Sequence, residues 1–556
     1  MTSGGRAPVQ AGKDGGAGPV GIDVRRFSWI RPLAWDYAFN FANVAPLYAG
    51  DPSAADAWRD AIARTRGHSR RRADIAGILG AQQERRGAPP AARTAAARLA
   101  HPDTVAVVTG QQAGAFGGPL FTLLKAITAL QLARRAGAEH GVEAIAVFWV
   151  DAEDHDWNEV KGCTVLDGDF QPRTIALAAP EGAGELPVAQ LMLDGRIEQS
   201  LDELAASLAR TDFTDWVMAG LRAAYRPGAP VADAFARWIE ALLGPYGLVV
   251  FESADPAAKP LAADVFTREL AAPGRSAALA AAAGDRLAAH GHEPQVMPQA
   301  DSLSLFHLDG ARRSIRRGTG AFLVGDTPRT GESLAEEAAA HPFRFSPNVL
   351  LRPIVQDTLF PTICYVAGPS ELAYLGQLGG VYEQFGVPMP LMYPRASATL
   401  VDSGAARFLA KYDLPLEDLQ RQDEAVLNRL LEAQLPAEVE ESLKEAEESA
   451  RRTLQRVIAA LPALDPTLAG AANTTLGRME HDLKALHGKV IHAAKRRHET
   501  LRRQFTHAQA QIFPLGHPQE RTLGVPFFLN RYGPALAERL MDDLPLEMGR
   551  HWVMTI

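Results

Sequence analysis

Cysteine is almost missing from this chain. The two present, Cys163 and Cys364, lie far apart and match neither a CxxC or Cys/His zinc spacing nor a disulfide framework. A reducing compartment follows, with the cytoplasm as the expected location, and each cysteine reads as a small buried apolar residue rather than a nucleophile. Long hydrophobic runs are also missing. No stretch approaches the ~18 uninterrupted apolar residues of a membrane helix, so no membrane is expected as a partner. The Gly-rich first twenty residues lack the apolar segment of a signal peptide and read as a disordered tail, 1–20. Positive charge is not in excess: the net charge is -8, which leaves no basic field for a phosphate backbone and excludes nucleic acid as an expected partner.

What is present is a long chain of 556 residues, 47% of them hydrophobic, with room for roughly two to four domains. From Thr104 the text reads TVAVVTG, then the Gly-rich QQAGAFGGP, then LFTLLKAITALQLARRAG with apolar residues at helical spacing. This is strand, loop, helix; VEAIAVFWV after Gly141 supplies a second strand and completes a βαβ unit with parallel, doubly buried strands. YGLVVFESAD, PTICYVAGPSELAYLGQL and VPMPLMYPRASATLV each add one more strand. The fold class is therefore α/β, with a Rossmann-like parallel-sheet core over 21–414 and helical or mixed insertions at about 165–240 and 270–345.

From 415 to 512 strand-forming runs give way to Glu, Lys, Arg, Gln and Ala. Leu443, Ala446, Ala450, Leu454, Val457 and Leu461 form one stripe; Leu476, Met479, Leu483, Leu486, Val490 and Ala493 step by three and four. LPALDPTLAG breaks the helix between them, so the region predicts an antiparallel helical coiled-coil hairpin, which either lies on the core or pairs with a second copy. The last segment, 513–556, regains apolar and aromatic residues and is expected to pack back on the core.

Three polar groups stand at predicted strand ends, where open α/β sheets bind ligands. In GQQAGAFGGP, Gly114, Gly117 and Gly118 would let an anion approach the following helix N-terminus, and the amides of Gln111 and Gln112 can donate and accept; a tight structural turn explains the glycines equally well. Glu153, Asp154, His155 and Asp156 follow the second strand, a histidine beside carboxylates suited to acid or base work or to holding Mg²⁺ through water, the alternative being a capped turn. Arg352, Gln356, Asp357 and Glu371 surround a later strand, with Arg352 either a carboxylate clamp or the partner of Asp357; Arg395 and Ser397 are further anion candidates.

The strings VVTGQQAGAFGGPLFTLLKAITAL, VFWVDAEDHDWNEV, LRPIVQDTLFPTICYVAGPSELAYLGQL, MYPRASATL and PQER…NRYGP together resemble the bacillithiol biosynthesis cysteine-adding enzymes, the BshC family, from about Phe27 onward. The resemblance implies a Rossmann-like core with insertions, a coiled coil used to form a homodimer, and amide formation between the cysteine carboxyl and the amine of glucosaminyl-malate. Activating a free carboxylate would call on ATP. On that reading Asp154 or His155 is the catalytic base, Gln111, Gln112 and the glycine loop orient the anionic intermediate, and Arg352 or Arg395 holds the malate carboxylates. The readings set against it are a nucleotidyltransferase or metal-assisted hydrolase using Glu153–Asp156, and a non-catalytic coiled-coil scaffold.

Overall fold

The computed structural model describes residues 18–556 apart from 300, 436 and 466. The chain forms two compact units, one built from 18–400 with 519–554, the other from 401–518. The helical unit thus starts before the expected 415, because the helix Ser403–Lys411 packs on Glu499–Ile512.

Five parallel strands make the centre of the larger unit: β1 (Val105–Gln112), β2 (Ala144–Asp151), β3 (Val249–Glu252), β4 (Thr362–Ala367) and β5 (Leu391–Pro394). Their order is β5-β4-β1-β2-β3. The chain runs outward from β1 in one direction and later resumes on its other side, so the strand order reverses between β1 and β4, the point where such sheets open a ligand crevice. The expected β-branched runs are buried on both faces. Val107, Phe148 and Val150 meet one apolar layer, while Val108, Val147 and Trp149 meet the other.

Helix α1 (Leu120–His140) links β1 to β2 and ends at Gly141, whose left-handed backbone (φ 63°) returns its N–H to Gly137. Helices α2 (Arg352–Leu359) and α3 (Pro369–Leu375) flank β4. The first insertion carries the hairpin Gly162–Leu166/Pro172–Ala176 and several helices. The second is mixed: beside the helices Arg275–Ala289 and Gly331–Ala340 it holds a five-stranded antiparallel sheet centred on Ser302–Leu308 and Arg312–Arg317.

Two expectations need correction. VPMPLMYPRASATLV is two strands, because the chain breaks after Pro394 and Ser397–Val401 joins a separate sheet with Val20–Asp23 and Arg550–Thr555. The tail expected over 1–20 therefore stops short of Val20, which pairs with Val553; residues 1–17 lie outside the described residues. The return of the C-terminal segment is seen in the helices Gln519–Thr522 and Ala535–Asp543, both packed on α1.

The smaller unit contains α4 (Ala437–Ala460) and α5 (Leu468–Arg497), packed as the expected hairpin. Arg451 donates to Glu480 across it at 2.9 Å. No described helix is long and apolar enough to cross a membrane.

Candidate active site

A cavity of about 400 Å³ opens at the carboxyl ends of β1, β2 and β4, at the point of strand reversal. The full-length register of β1 against β2 sets Gln112 beside Asp151 at its mouth. Gln111, Gln112, Asp154, Arg352, Glu371 and Arg395, all named from sequence, line it. Lys125, Asp151, Glu153, Arg312, Tyr365, Tyr374 and Arg521 are also in its wall, with Glu159, Asn348 and Ser370.

Its floor is a buried charge network. Lys125, on the second turn of α1, is ion-paired to Glu371 and donates to the Gly110 carbonyl at 2.8 Å and to Gln111 Oε1 at 3.2 Å. Glu371 also accepts from the Gly368 N–H (2.6 Å) and the Tyr365 hydroxyl (2.9 Å). Burial alone would raise the Glu371 carboxyl; Lys125, the Gly368 N–H and Arg352 reverse this and hold it below the usual range. Burial pushes the Lys125 ammonium down, against the opposing pull of Glu371. Arg352 donates to Gln356 (3.1 Å) and the Tyr374 hydroxyl (3.0 Å) and stands 3.9 Å from Asp151.

Across the cavity, Arg312 reaches in from the second insertion, stacked 3.8 Å from the centre of the Phe306 ring. It donates to Asp154 Oδ1 at 3.1 Å, an oxygen that also takes the His155 N–H; Gln112 lies 3.4 Å from the other oxygen. Glu153 pairs with Lys259 at 2.5 Å. Two further charges of the wall stand apart from these pairs. The Asp151 carboxyl accepts no hydrogen bond among the described residues, and burial pushes it up, opposed by Arg352 and reinforced by Glu153 and Asp154. Arg521, at the rim beside the Phe121 ring, has no carboxylate partner among them.

Several expected site residues are placed elsewhere. Gly114, Gly117 and Gly118 do not line the cavity, because the loop spends its N–H groups on itself: Gly114 on Gln112 O (2.9 Å), Gly117 on Gly114 O (3.2 Å), Gly118 on Ala115 O (3.0 Å). Leu523 and Val525 bond to its outer edge, so the glycines serve a turn (φ 100° at Gly117, 71° at Gly118) rather than an anion. Asp357 is buried away from the cavity, accepting from Tyr382 (2.5 Å) and Gln356 (2.9 Å). Ser397 is bonded to His551 (2.7 Å) and Glu520 (3.1 Å). Arg395 lines the cavity but gives Glu520 both ends of its guanidinium, at 3.0 and 2.6 Å. His155 is half-buried beside Asp154 without lining the cavity, and Asp156 caps the turn Trp157–Val160. Both cysteines are buried, with the Cys163 thiol pushed up to about 12 by burial.

Of the residues not named from sequence, Lys125 carries a signal there: a lone cation in the apolar LFTLLKAITAL of a buried helix needs a partner. Arg312 carries none, since the insertion's fold alone brings it to the cavity.

Fold and site together define a Rossmann-like α/β enzyme with a switch-point cavity, carrying a coiled-coil unit. Residues 22–396 match the N-terminal Rossmann-like domain of bacillithiol biosynthesis BshC, and residues 398–556 its C-terminal coiled-coil domain. The chain belongs to the BshC family. It is 35% identical to a relative in Salinibacter ruber over 94% of this chain and 95% of that one. It is 36% identical to one in Koribacter versatilis over 84% and 87%, and 33% identical to one in Symbiobacterium thermophilum over 92% and 95%. Each carries the name "Putative cysteine ligase BshC".

Proposed function

We propose that this chain is a cytoplasmic ligase that joins the carboxyl of cysteine to the amine of glucosaminyl-malate, and that the amide forms in the switch-point cavity. The names of the relatives support the cysteine ligase reading. The observation that carries it is the presence, in one cavity, of a carboxylate that accepts no hydrogen bond among the described residues, Asp151, and a guanidinium that has no carboxylate partner among them, Arg521. Amide formation needs an acceptor for the ammonium proton and a clamp for the partner's carboxylates.

In this reading Asp151 takes the base role first expected of Asp154 or His155, since both Asp154 oxygens already have donors or near donors. Asp154 then positions Gln112 and Arg312. Arg521 holds the malate carboxylates, with Arg395 behind it. ATP is the activating group; when bound it supplies the phosphoryl or adenylyl that makes the carboxyl carbon electrophilic. The Arg521 guanidinium at the rim fits its anionic part, and the glycine loop does not. Among the described residues no three His, Cys, Asp or Glu side chains stand together to hold a metal ion, so no step is routed through Mg²⁺.

The test is product formation from cysteine, glucosaminyl-malate and ATP, followed by mass spectrometry. The full chain should give the amide, and Asp151→Asn should lower turnover by about 100-fold or more, the range of a general base, with an unchanged melting temperature. No amide from the parent chain, or full activity in Asp151→Asn, overturns the assignment.

A further inference from the structure

Glu371, Glu520, Glu240 and Asp357 each have a cation or hydrogen-bond donors at the carboxyl; Glu252, at the carboxyl end of β3, has neither among the described residues. Its backbone is fixed instead: its N–H donates to Gln82 Oε1 at 3.0 Å and its carbonyl faces Gln82 Nε2 at 3.3 Å. The carboxyl lines a second cavity of about 520 Å³ beside the first, and Glu153 lines both. Lys259 is also in this wall. Two of its three donors go to Glu153 and to the Phe345 carbonyl, at 2.5 and 3.2 Å. The acid next to Glu252, Asp255, is already held by Arg85 (3.1 Å) and Gln82 (3.0 Å). Small apolar residues, Ala189 and Ala254, fill out the wall.

We infer that this second cavity receives the amino-acid substrate, with Glu252 taking its ammonium, the remaining donor of Lys259 its carboxylate, and the small residues its short side chain. A zwitterion needs an anionic and a cationic side chain facing one space: Glu252 is the acid of this wall without a partner among the described residues, and Lys259 has a donor left beside it, while the other cation of the wall, Arg85, stands on Asp255. The carboxylate would then lie against the Glu153–Lys259 wall that separates the cavities, on the side from which an acyl group passes to an amine in the first. The inference rests on the ligase reading for the identity of the amino acid.

Burial raises the Glu252 carboxyl to about 7. Arg86 and Arg85 oppose this from the helix Arg72–Arg86, while Asp233 and Asp255 reinforce it; Glu240 is paired with Arg86, and Lys259 and Glu153 face the same space. A bound ammonium favours the ionised form, so binding should release a proton below pH 7, and affinity should rise with pH up to about 7 and then level off.

Calorimetry of the full chain with L-cysteine and with 3-mercaptopropionate, which lacks the ammonium, tests this. The parent should prefer L-cysteine by tenfold or more, and Glu252→Gln should lose that preference and the proton release. The variant removes a buried charge without changing shape, so its melting temperature should not fall. Equal affinity of the parent for both compounds, no binding of L-cysteine, or an unchanged preference in Glu252→Gln each overturns the site. A Glu252-dependent preference without amide formation in the product assay keeps the site and removes the ligase reading.

Discussion

Lys125 shows how a single side chain holds the first cavity together. Its ammonium is the strongest counterweight to the buried Glu371 carboxyl, and it also satisfies the Gly110 carbonyl at the end of β1. Lys125→Met keeps the apolar stem and leaves Glu371 with a buried, poorly compensated charge, which costs roughly 3–5 kcal/mol when one partner of such a pair is removed. Urea unfolding at pH 7 should show that loss. Lys125→Met with Glu371→Gln should recover most of it, because neither charge then remains. The sign of the pH dependence follows. In the parent the Glu371 carboxyl is held low, so its contribution is present above its unfolded value and fades in acid, while in the single variant acid neutralises the stranded carboxyl. The gap between parent and variant should therefore narrow as the pH falls toward 4. An equal gap at pH 7 and pH 4 would show that Lys125 acts through packing alone.

The helical hairpin divides its apolar residues into two sets that its sequence spacing does not distinguish. Leu443, Ala450 and Leu454 of α4, with Leu476, Leu483 and Val490 of α5, are half-buried, whereas Val457, Met479 and Leu486 are 42%, 41% and 49% exposed. Met479 and Leu486 are seven residues apart and so share a face of α5. If a second copy covers that face, Met479→Glu with Leu486→Glu should give a helical monomer by light scattering and circular dichroism, since unpaired charge in an apolar seam costs several kcal/mol. Leu483→Glu should instead lower the melting temperature of the hairpin. A double variant that still forms a dimer places the interface elsewhere. Periodicity was enough to read the hairpin and the parallel strands, because their apolar residues repeat at 3.6 or run unbroken. It did not separate helix from strand inside the second insertion, expected only as helical or mixed, where Ser302–Leu308 buries Ser304 and His307 among its leucines and so masks the alternation. The glycine loop was legible as a turn, but not that its N–H groups turn inward on its own carbonyls, nor that Leu523 and Val525 bond along its outer edge. In the same way, position at a strand end marked out Gln112 and Asp154, while Arg312 and Arg521 reach the cavity through long-range packing alone.

The larger unit as a whole is closed by strands from opposite ends of the described chain. Val20–Asp23 pairs with Arg550–Val553, and the same C-terminal strand lies beside Ser397–Val401. His551 is buried at this junction, 3% exposed, with Nδ1 2.7 Å from the Ser397 hydroxyl and Nε2 2.8 Å from that of Thr399. Burial drives its imidazole down to about 4, Glu520 opposing this and Arg395 adding to it. The ring is therefore neutral in the folded chain at pH 7, one nitrogen donating to a hydroxyl and the other accepting. Protonation adds a second donor and a buried charge. Because the folded value lies below the unfolded one, this contribution is fully present above about pH 6.5 and is lost as the pH falls toward 4. Each pH unit between the folded and unfolded titrations is worth ~1.4 kcal/mol, so the loss across that window is ~3 kcal/mol. His551→Gln offers one donor and one acceptor without titrating. It should be less stable than the parent at pH 7, where its geometry fits the two hydroxyls less well, and should show a shallower loss of stability between pH 6.5 and pH 4. Parallel stability curves over that window would mean that His551 does not govern the acid sensitivity of the closure. Convergence of the two curves on acidification would assign it to the strand that joins the ends of the unit.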